Sequence, residues 1–548
     1  MLFKSLEHLS CDVLVIGGGG AGLRSAIAAR LRGADVLLAA KTRIGPVSNT
    51  YLSKAVIAAA GWGTPDDAAR VHVEDTMQAG RFLNDPAMVA RMAERSPAEI
   101  TFLRDCGVDF AMDGDRLRLI RIAGHRHPRH VHGAGWRGSD LVLPLRRRAE
   151  AVGVRMAEQV FVSRLLSADG RICGAAGITP DGRFLAIQAK AVVLATGGYA
   201  QVFRNTNNAP GITGDGPALA HDLGLPLKDM EFVQFYPTAA GRRGSRLILY
   251  ENMLSRPGVA LRNGKGENIL ERHGIADPMT VTRDRLAQII TREIREAASP
   301  EPGVFMDMTD LSEETARELS AILPPRWWQG QKVFQVAPTA HFCMGGIATD
   351  PSGETPLAGL FAVGEAAAGM HGANRLGGNA LAEIFAMGSF VGETAAAQAM
   401  AIGAFRVPGK GFEEERSRLA AAFSREGMGA KQAVEELKAL MWKSAGVIRC
   451  ESGLSAALKH LAASAPRITV STPAELIRRL EYENMRCVAR MVCRAALERT
   501  ESRGAHFRSD FPEEDNPAWR KNIVLRKNPA GLSVETRSVR VDRMKSGG

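Results

Sequence analysis

The sequence of 548 residues predicts an α/β fold organised around a parallel sheet. Three observations carry that prediction. The apolar run Asp12-Val-Leu-Val-Ile16 leads straight into Gly17-Gly-Gly-Gly-Ala-Gly22 and then a helical run from Leu23 to Arg32. Further apolar runs follow at Ala34–Ala39, Ala191–Ala195 and Leu360–Val363, the last two ending in glycine turns. Glycine is abundant, at 57 residues, and much of it sits in short loops after such runs.

The first strand, glycine turn, helix and second strand form a Rossmann-like dinucleotide unit. Gly17 allows the turn, Gly19 lets backbone amides approach a pyrophosphate, and Gly22 lets the helix pack on the strand. The helix N-terminus adds partial positive charge for the phosphates. An acidic residue that would hold a ribose usually closes the second strand, but here the strand runs into Ala39-Ala40-Lys41. That speaks against freely exchanging NAD and for a tightly held dinucleotide such as FAD. The run ending in Thr196-Gly197-Gly198 returns to the same sheet, and Thr213-Gly-Asp-Gly216 opens another helix near the adenosine or pyrophosphate.

Residues 230–348 contain no nucleotide-type loop and read as an insertion, after which the chain returns at Leu360-Phe-Ala-Val-Gly364-Glu365. The expected organisation is a discontinuous nucleotide domain (1–229 and 349–404), an inserted domain (230–348) and a helical domain (405–510). The helical domain should hold runs at Phe412–Arg425, Lys431–Lys443, Ser452–Ala462 and Ala474–Glu498. A Pro- and charge-rich extension (511–548) is expected to wrap a surface.

The net charge of +11 comes without an aromatic–basic array or a lysine tract, so it predicts a diffusely basic surface that gathers anions rather than nucleic acid. The seven cysteines are scattered and form no CxxC, which excludes a disulfide framework and an iron–sulfur cluster within the chain. No metal site is read. No apolar run approaches the roughly 18–20 residues of a membrane span, and a strand starting near Asp12 leaves no room for a cleavable signal. The expectation is a cytoplasmic protein, or one held at the cytoplasmic face of a membrane by partner subunits. Residues 371–381 place Arg375 among small residues. A guanidinium is charged at any physiological pH and grips a carboxylate with two parallel hydrogen bonds, so this stretch predicts a small-anion site beside the cofactor.

The segments Val15-Ile-Gly-Gly-Gly-Gly-Ala-Gly-Leu23, Ala195-Thr-Gly-Gly198, Thr213-Gly-Asp-Gly216, Met230-Glu-Phe-Val-Gln-Phe235, His341-Phe-Cys-Met-Gly-Gly-Ile347, His371 to Leu381 and Arg499-Thr-Glu-Ser-Arg-Gly-Ala-His506 cover nearly the whole chain. In that order they resemble the succinate dehydrogenase/fumarate reductase flavoprotein family, which includes the L-aspartate oxidases. The resemblance implies an FAD-binding domain of Rossmann type, an inserted α+β capping domain and a C-terminal helical domain. It implies hydride transfer between the flavin and one carbon of a dicarboxylate, with a proton moving at the neighbouring carbon. By motif, His341 and Arg375 fall on the family's carboxylate ligands, Arg283 on its proton-shuttling arginine and Glu251 on its acidic relay. Tyr236 and Thr238 fall in its substrate motif. Cofactor contacts are expected from Gly17, Gly19, Gly20, Ala21, Gly22 and Lys41, from Ser48 and Thr50, from Thr196, Gly197 and Asp215, and from Asn379 and Leu381. Glu365 either caps the next helix or bonds the ribityl chain. Arg283 as a helix-surface partner of Asp284 is the structural alternative.

Four departures surround the substrate. Ser48-Asn49-Thr50 replaces the Ser-His-Thr of members with covalent FAD, which predicts non-covalent FAD. Ser53-Lys54-Ala55-Val56 replaces Ala-Gln-Gly-Gly, putting an ammonium near the flavin ring or redirecting the loop. Tyr236 stands where a carboxylate-binding histidine is usual. Tyr250-Glu251-Asn-Met-Leu254 lacks the relay's second arginine, leaving Arg256 to compensate. The leading expectation is a succinate/fumarate-type enzyme passing electrons to an iron–sulfur partner. The alternatives are an oxidase like L-aspartate oxidase, which Arg121-Ile122-Ala-Gly-His125 opposes by offering no acid for a substrate ammonium, and an altered flavoprotein with another substrate.

Overall fold

The computed structural model describes residues 3, 5–296, 303–320, 322–403, 409–529 and 531–539, apart from the side chains of Glu251 and Asn252. Its central element is a seven-stranded sheet. Strand β1 (Ser5–Ile16) lies parallel between β2 (Val36–Ala40) and the long strand Arg183–Leu194, and Arg155–Glu158 extends the parallel set beyond β2. Leu360–Ala362 pairs parallel with Val192–Leu194, so the late chain segment does return to this sheet. Phe161–Ala168 and Arg171–Ile178 complete it as an antiparallel meander.

The sheet is buried on both faces. Leu14, Ile16, Leu37, Ala39, Val192 and Leu194 enter one apolar cluster, while Val13, Val15, Val36, Leu38, Ala191 and Val193 enter another. This alternation is the period-2 geometry of a strand, and burial on both faces explains why parallel strands read as continuous apolar runs. The first strand begins at Ser5 rather than near Asp12. Its early residues are largely exposed and polar, so their pairing with Arg183–Ala189 left no hydrophobic signal.

Helix α1 (Gly20–Leu31) packs on β1 and against the long helix Asn379–Met400. Residues 233–343 form a second, four-stranded antiparallel sheet with strand order Val233–Ala240, Val333–Cys343, Val304–Asp307 and Ala260–Asn263. Helix Arg283–Glu296 covers it, and the unit has an apolar cluster of its own. Four helices follow at Lys410–Ala421, Ala430–Ala445, Glu451–Ala462 and Pro473–Glu498. The last starts with Pro473 in its first turn and a reciprocal capping box between Thr472 and Glu475.

The C-terminal segment does more than wrap a surface. Strands Lys521–Asn528 and Gly531–Ser538 form a hairpin that pairs through Leu525 and Val524 with Leu227–Lys228. Gly346–Ala348 and Ala367–Ala368 complete this third sheet. Among the described residues no helix is long and apolar enough to cross a membrane.

Candidate active site

A cavity of about 430 Å3 opens at the C-terminal ends of the parallel strands, the position favoured for ligands in such sheets. At one end it is walled by Gly17–Ala21. Gly17 has φ 124°, and a Cβ there would lie 2.2 Å from the Ala195 carbonyl oxygen; at Gly22 a Cβ would lie 1.8 Å from the Gly17 oxygen. Gly22 therefore serves strand–helix packing and does not line the cavity, whereas Gly17, Gly19, Gly20 and Ala21 do.

Helix α1 has no side-chain cap and no acid in its first turn. Gly20 N donates to Thr50 Oγ1 at 3.1 Å, and the other first-turn amides are donors of the kind a pyrophosphate accepts. A second uncapped helix, Asn379–Met400, also without an acid in its first turn, presents Ala380 and Leu381 to the far end of the same cavity. Thr196, Gly197 and Ser48 complete the wall, although the Ser48 hydroxyl is spent on Tyr51 N and Gly45 O. These donors and the glycine wall fit a dinucleotide.

Lys41 answers the missing ribose acid. Its Nζ lies 2.6 Å from each of Thr213 Oγ1, Asp215 Oδ2 and Glu481 Oε1. Burial opposes the charge, but the two carboxylates hold the pKa above the usual lysine value. Asp215 and Lys41 both line the cavity. Glu481, on the helix Pro473–Glu498, had no sequence signal because it lies 440 residues from its partner.

Asn49 gives both amide hydrogens away, to Asn208 Oδ1 at 2.6 Å and Glu365 Oε2 at 3.3 Å, and accepts from Ala209 N at 2.9 Å. Glu365 also accepts from Cys343 N at 3.0 Å, so it caps no following helix. Burial pushes its pKa up to about 7, against the lowering effect of those two donors.

The opposite end gathers the predicted substrate groups. Arg375 Nη2 donates to Gln234 Oε1 at 2.9 Å and Nη1 to Leu376 O at 3.3 Å, while Gln234 Nε2 donates to Arg375 O at 2.9 Å. Gln234 thus fixes both ends of the arginine, a role that no sequence motif assigned to it. His341 contacts Asn207 through Nδ1 at 3.0 Å. Burial, with Arg375 and Arg283 nearby, holds its pKa well below the usual histidine value, so the ring is neutral.

Arg283 begins its helix and lines the cavity, its guanidinium 5.0 Å from the centre of the Tyr236 ring. Asp284 takes its hydrogen bond from Asn374 instead, at 3.0 Å. Tyr236 stacks edge-on to both His341 (5.3 Å) and Tyr250 (6.1 Å). Lys54, Arg246 and Ile122 also line the cavity.

Besides Gly22, two further predicted contacts lie off the cavity wall. Thr238 is fully buried, bonds Leu249 O and does not line the cavity. A register irregularity between Tyr236 and Ala239 breaks the same-face relation that residues two apart would otherwise share. Asn379 is likewise buried, its amide spent on His72 at 2.9 Å and Thr76 at 2.9 Å. Arg256 does not restore the relay, because it pairs with Glu318 at the surface, 3.5 Å away. Leu254 is packed in the apolar cluster of the inserted unit. The Glu251 side chain lies outside the described residues; its backbone starts the turn Glu251–Ser255.

Comparison with known proteins decides the family. An FAD-binding domain model matches residues 12–381, and a fumarate reductase flavoprotein C-terminal model matches residues 434–547. The chain belongs to the succinate dehydrogenase/fumarate reductase flavoprotein family. It is an FAD-dependent oxidoreductase acting on CH–CH groups. It is 32% identical over 581 residues to the fumarate reductase flavoprotein subunit of Mycobacterium tuberculosis, covering 98% of each chain. It is 32% identical over 566 residues to an L-aspartate oxidase of Nostoc sp., covering 94% of this chain and 93% of that one. A variant of FrdA from E. coli quinol fumarate reductase superposes with a TM-score of 0.89 at 27% identity over 99% of both chains.

Proposed function

We propose that this flavoprotein interconverts a saturated and an unsaturated four-carbon dicarboxylate or a close relative of one, with FAD held non-covalently. Bound FAD supplies the two-electron chemistry by accepting or delivering a hydride. The protein's part is to bind, orient and move a proton. Arg375 and His341 receive one carboxylate, the arginine through its charge and the neutral imidazole through one donated hydrogen bond. Orientation of this kind supplies much of the rate in such reactions. Arg283 exchanges the proton at the carbon beside the reacting one, with Glu251 as its relay and no second arginine behind it. Tyr236 donates a neutral hydrogen bond to the distal group, and Arg246 adds charge at that side.

The observation that carries this reading is the convergence of Arg283, Arg375 and His341 on one cavity wall, next to Gly377, Gly378 and Ala380. Non-covalent FAD is supported by Asn49, an amide wholly engaged by protein groups where the family's linked members have an imidazole. Glu365 and Thr50 are the side chains proposed to meet the ribityl chain and pyrophosphate. An iron–sulfur protein is the proposed electron partner, consistent with relatives named as subunits.

The L-aspartate oxidase reading is disfavoured by Ile122, which presents an apolar surface to the cavity where a substrate ammonium would need an acid. Arg283→Ala tests the proposal: turnover should fall by about 100-fold or more, the range general acid–base groups supply, with the flavin spectrum unchanged. Full turnover with FAD bound would remove Arg283 from the mechanism.

A further inference from the structure

Lys54 differs from Lys41 and Arg375 in how its charge is met. Lys41 is neutralised by Asp215 and Glu481, and Arg375 is fixed by Gln234. Lys54 is half-buried and lines the cavity, and its ammonium pairs with no carboxylate among the described residues. Burial and a second cation, Arg137, act on it together to lower its pKa.

The backbone around Lys54 is over-determined. Ala55 is fully buried at φ 55°, a left-handed conformation that costs a residue with a Cβ. Hydrogen bonds hold it there: Gly133 N to Ala55 O at 3.1 Å, Ala55 N to Ser53 Oγ at 3.3 Å, Ser53 Oγ to Thr50 O at 2.8 Å and Gly138 N to Ser53 O at 2.8 Å. The segment leaves Thr50 beside Gly20 and reaches Ala58, whose N bonds Gly378 O at 3.3 Å. Lys54 therefore sits on the stretch of wall leading away from the α1 turn towards the Arg375 end.

We propose that Lys54 tunes the redox potential of the bound flavin, its ammonium stabilising the negative charge that the ring gains on reduction. This rests on the FAD reading above. A hydride from the saturated acid brings two electrons and one proton to the neutral ring, which gains one negative charge; the acid's other hydrogen leaves as a proton at the Arg283 side. A cation held in the wall favours the reduced state, since charge near the ring is a lever the protein has on a flavin's electronics. The strained turn keeps the cation in place without a carboxylate that would cancel it.

The test is spectroelectrochemical titration of the holoprotein. Lys54→Gln should weaken binding of reduced relative to oxidised FAD about tenfold, lowering the midpoint potential by about 30 mV for a two-electron couple, while Lys54→Arg keeps the wild-type potential. The ratio of dissociation constants for oxidised and reduced FAD in Lys54→Met gives the same quantity through a closed cycle, should the glutamine variant not load fully. A neutral variant that holds full FAD at the wild-type potential, or shows the wild-type ratio, overturns the proposal. Failure of the wild-type chain to bind FAD would instead overturn the cofactor reading.

Discussion

Glu365 shows how one side chain sets a pH dependence. Its carboxyl is pushed up to about 7 by burial, from an ordinary value of 4.5. Below pH 4.5 folded and unfolded chains are both protonated here, and the folded state carries no penalty. As the pH rises towards 7 the unfolded carboxyl ionises while the folded one keeps its proton, so stability is lost. The shift corresponds to about 3 kcal/mol. Urea melts of flavin-free protein at about pH 4.5 and 8 should show the wild type losing about that much more than Glu365→Gln. Equal losses would mean that the carboxyl titrates normally. At this scale the sequence was informative where chemistry is written in the residue type. Arg375, His341 and Arg283, singled out by residue type and motif, line the cavity. It was uninformative about direction: Thr238 and Asn379 occupy motif positions, but their side chains turn into the protein.

At the scale of elements, the turn between β1 and α1 was the most legible part. Its spacing is contiguous and its glycines are sterically required. Gly22→Ala would drive a Cβ to 1.8 Å from the Gly17 oxygen. The β1–α1 unit must then open, and FAD retention after gel filtration should be lost. A variant that keeps stoichiometric FAD would show that the turn has slack the packing does not suggest. Helices were legible by periodicity, and the run expected at Ala474–Glu498 forms the helix Pro473–Glu498. The hairpin Lys521–Asn528/Gly531–Ser538 was missed because its apolar residues are few, Ile523-Val-Leu525 in one strand and Leu532 and Val534 in the other, among charged and polar neighbours. Its strand partner, Leu227–Lys228, is two residues long and carries no pattern of its own.

Over the whole molecule, buried ion pairs join parts of the chain that are distant in sequence. Arg499 bonds Glu231 at 2.8 Å and Glu501 at 3.0 Å, and Arg503 continues from Glu501 to Glu514. These fully buried guanidiniums tie the entrance of the inserted sheet to the segment that precedes the C-terminal hairpin. Removing one partner of such a pair leaves an uncompensated buried charge. The same long-range logic hid Glu481 from a linear reading: its link to Lys41 exists only once the helical region folds back on the nucleotide unit. One claim underlies all of these scales, that bound flavin and an arginine-lined acid site share a cavity and react. The most direct measurement is to reduce the holoprotein without oxygen, add fumarate and follow flavin absorbance. The expected result is reoxidation that saturates with fumarate and is lost in Arg375→Gln; a reduced flavin indifferent to fumarate and related unsaturated acids would contradict it.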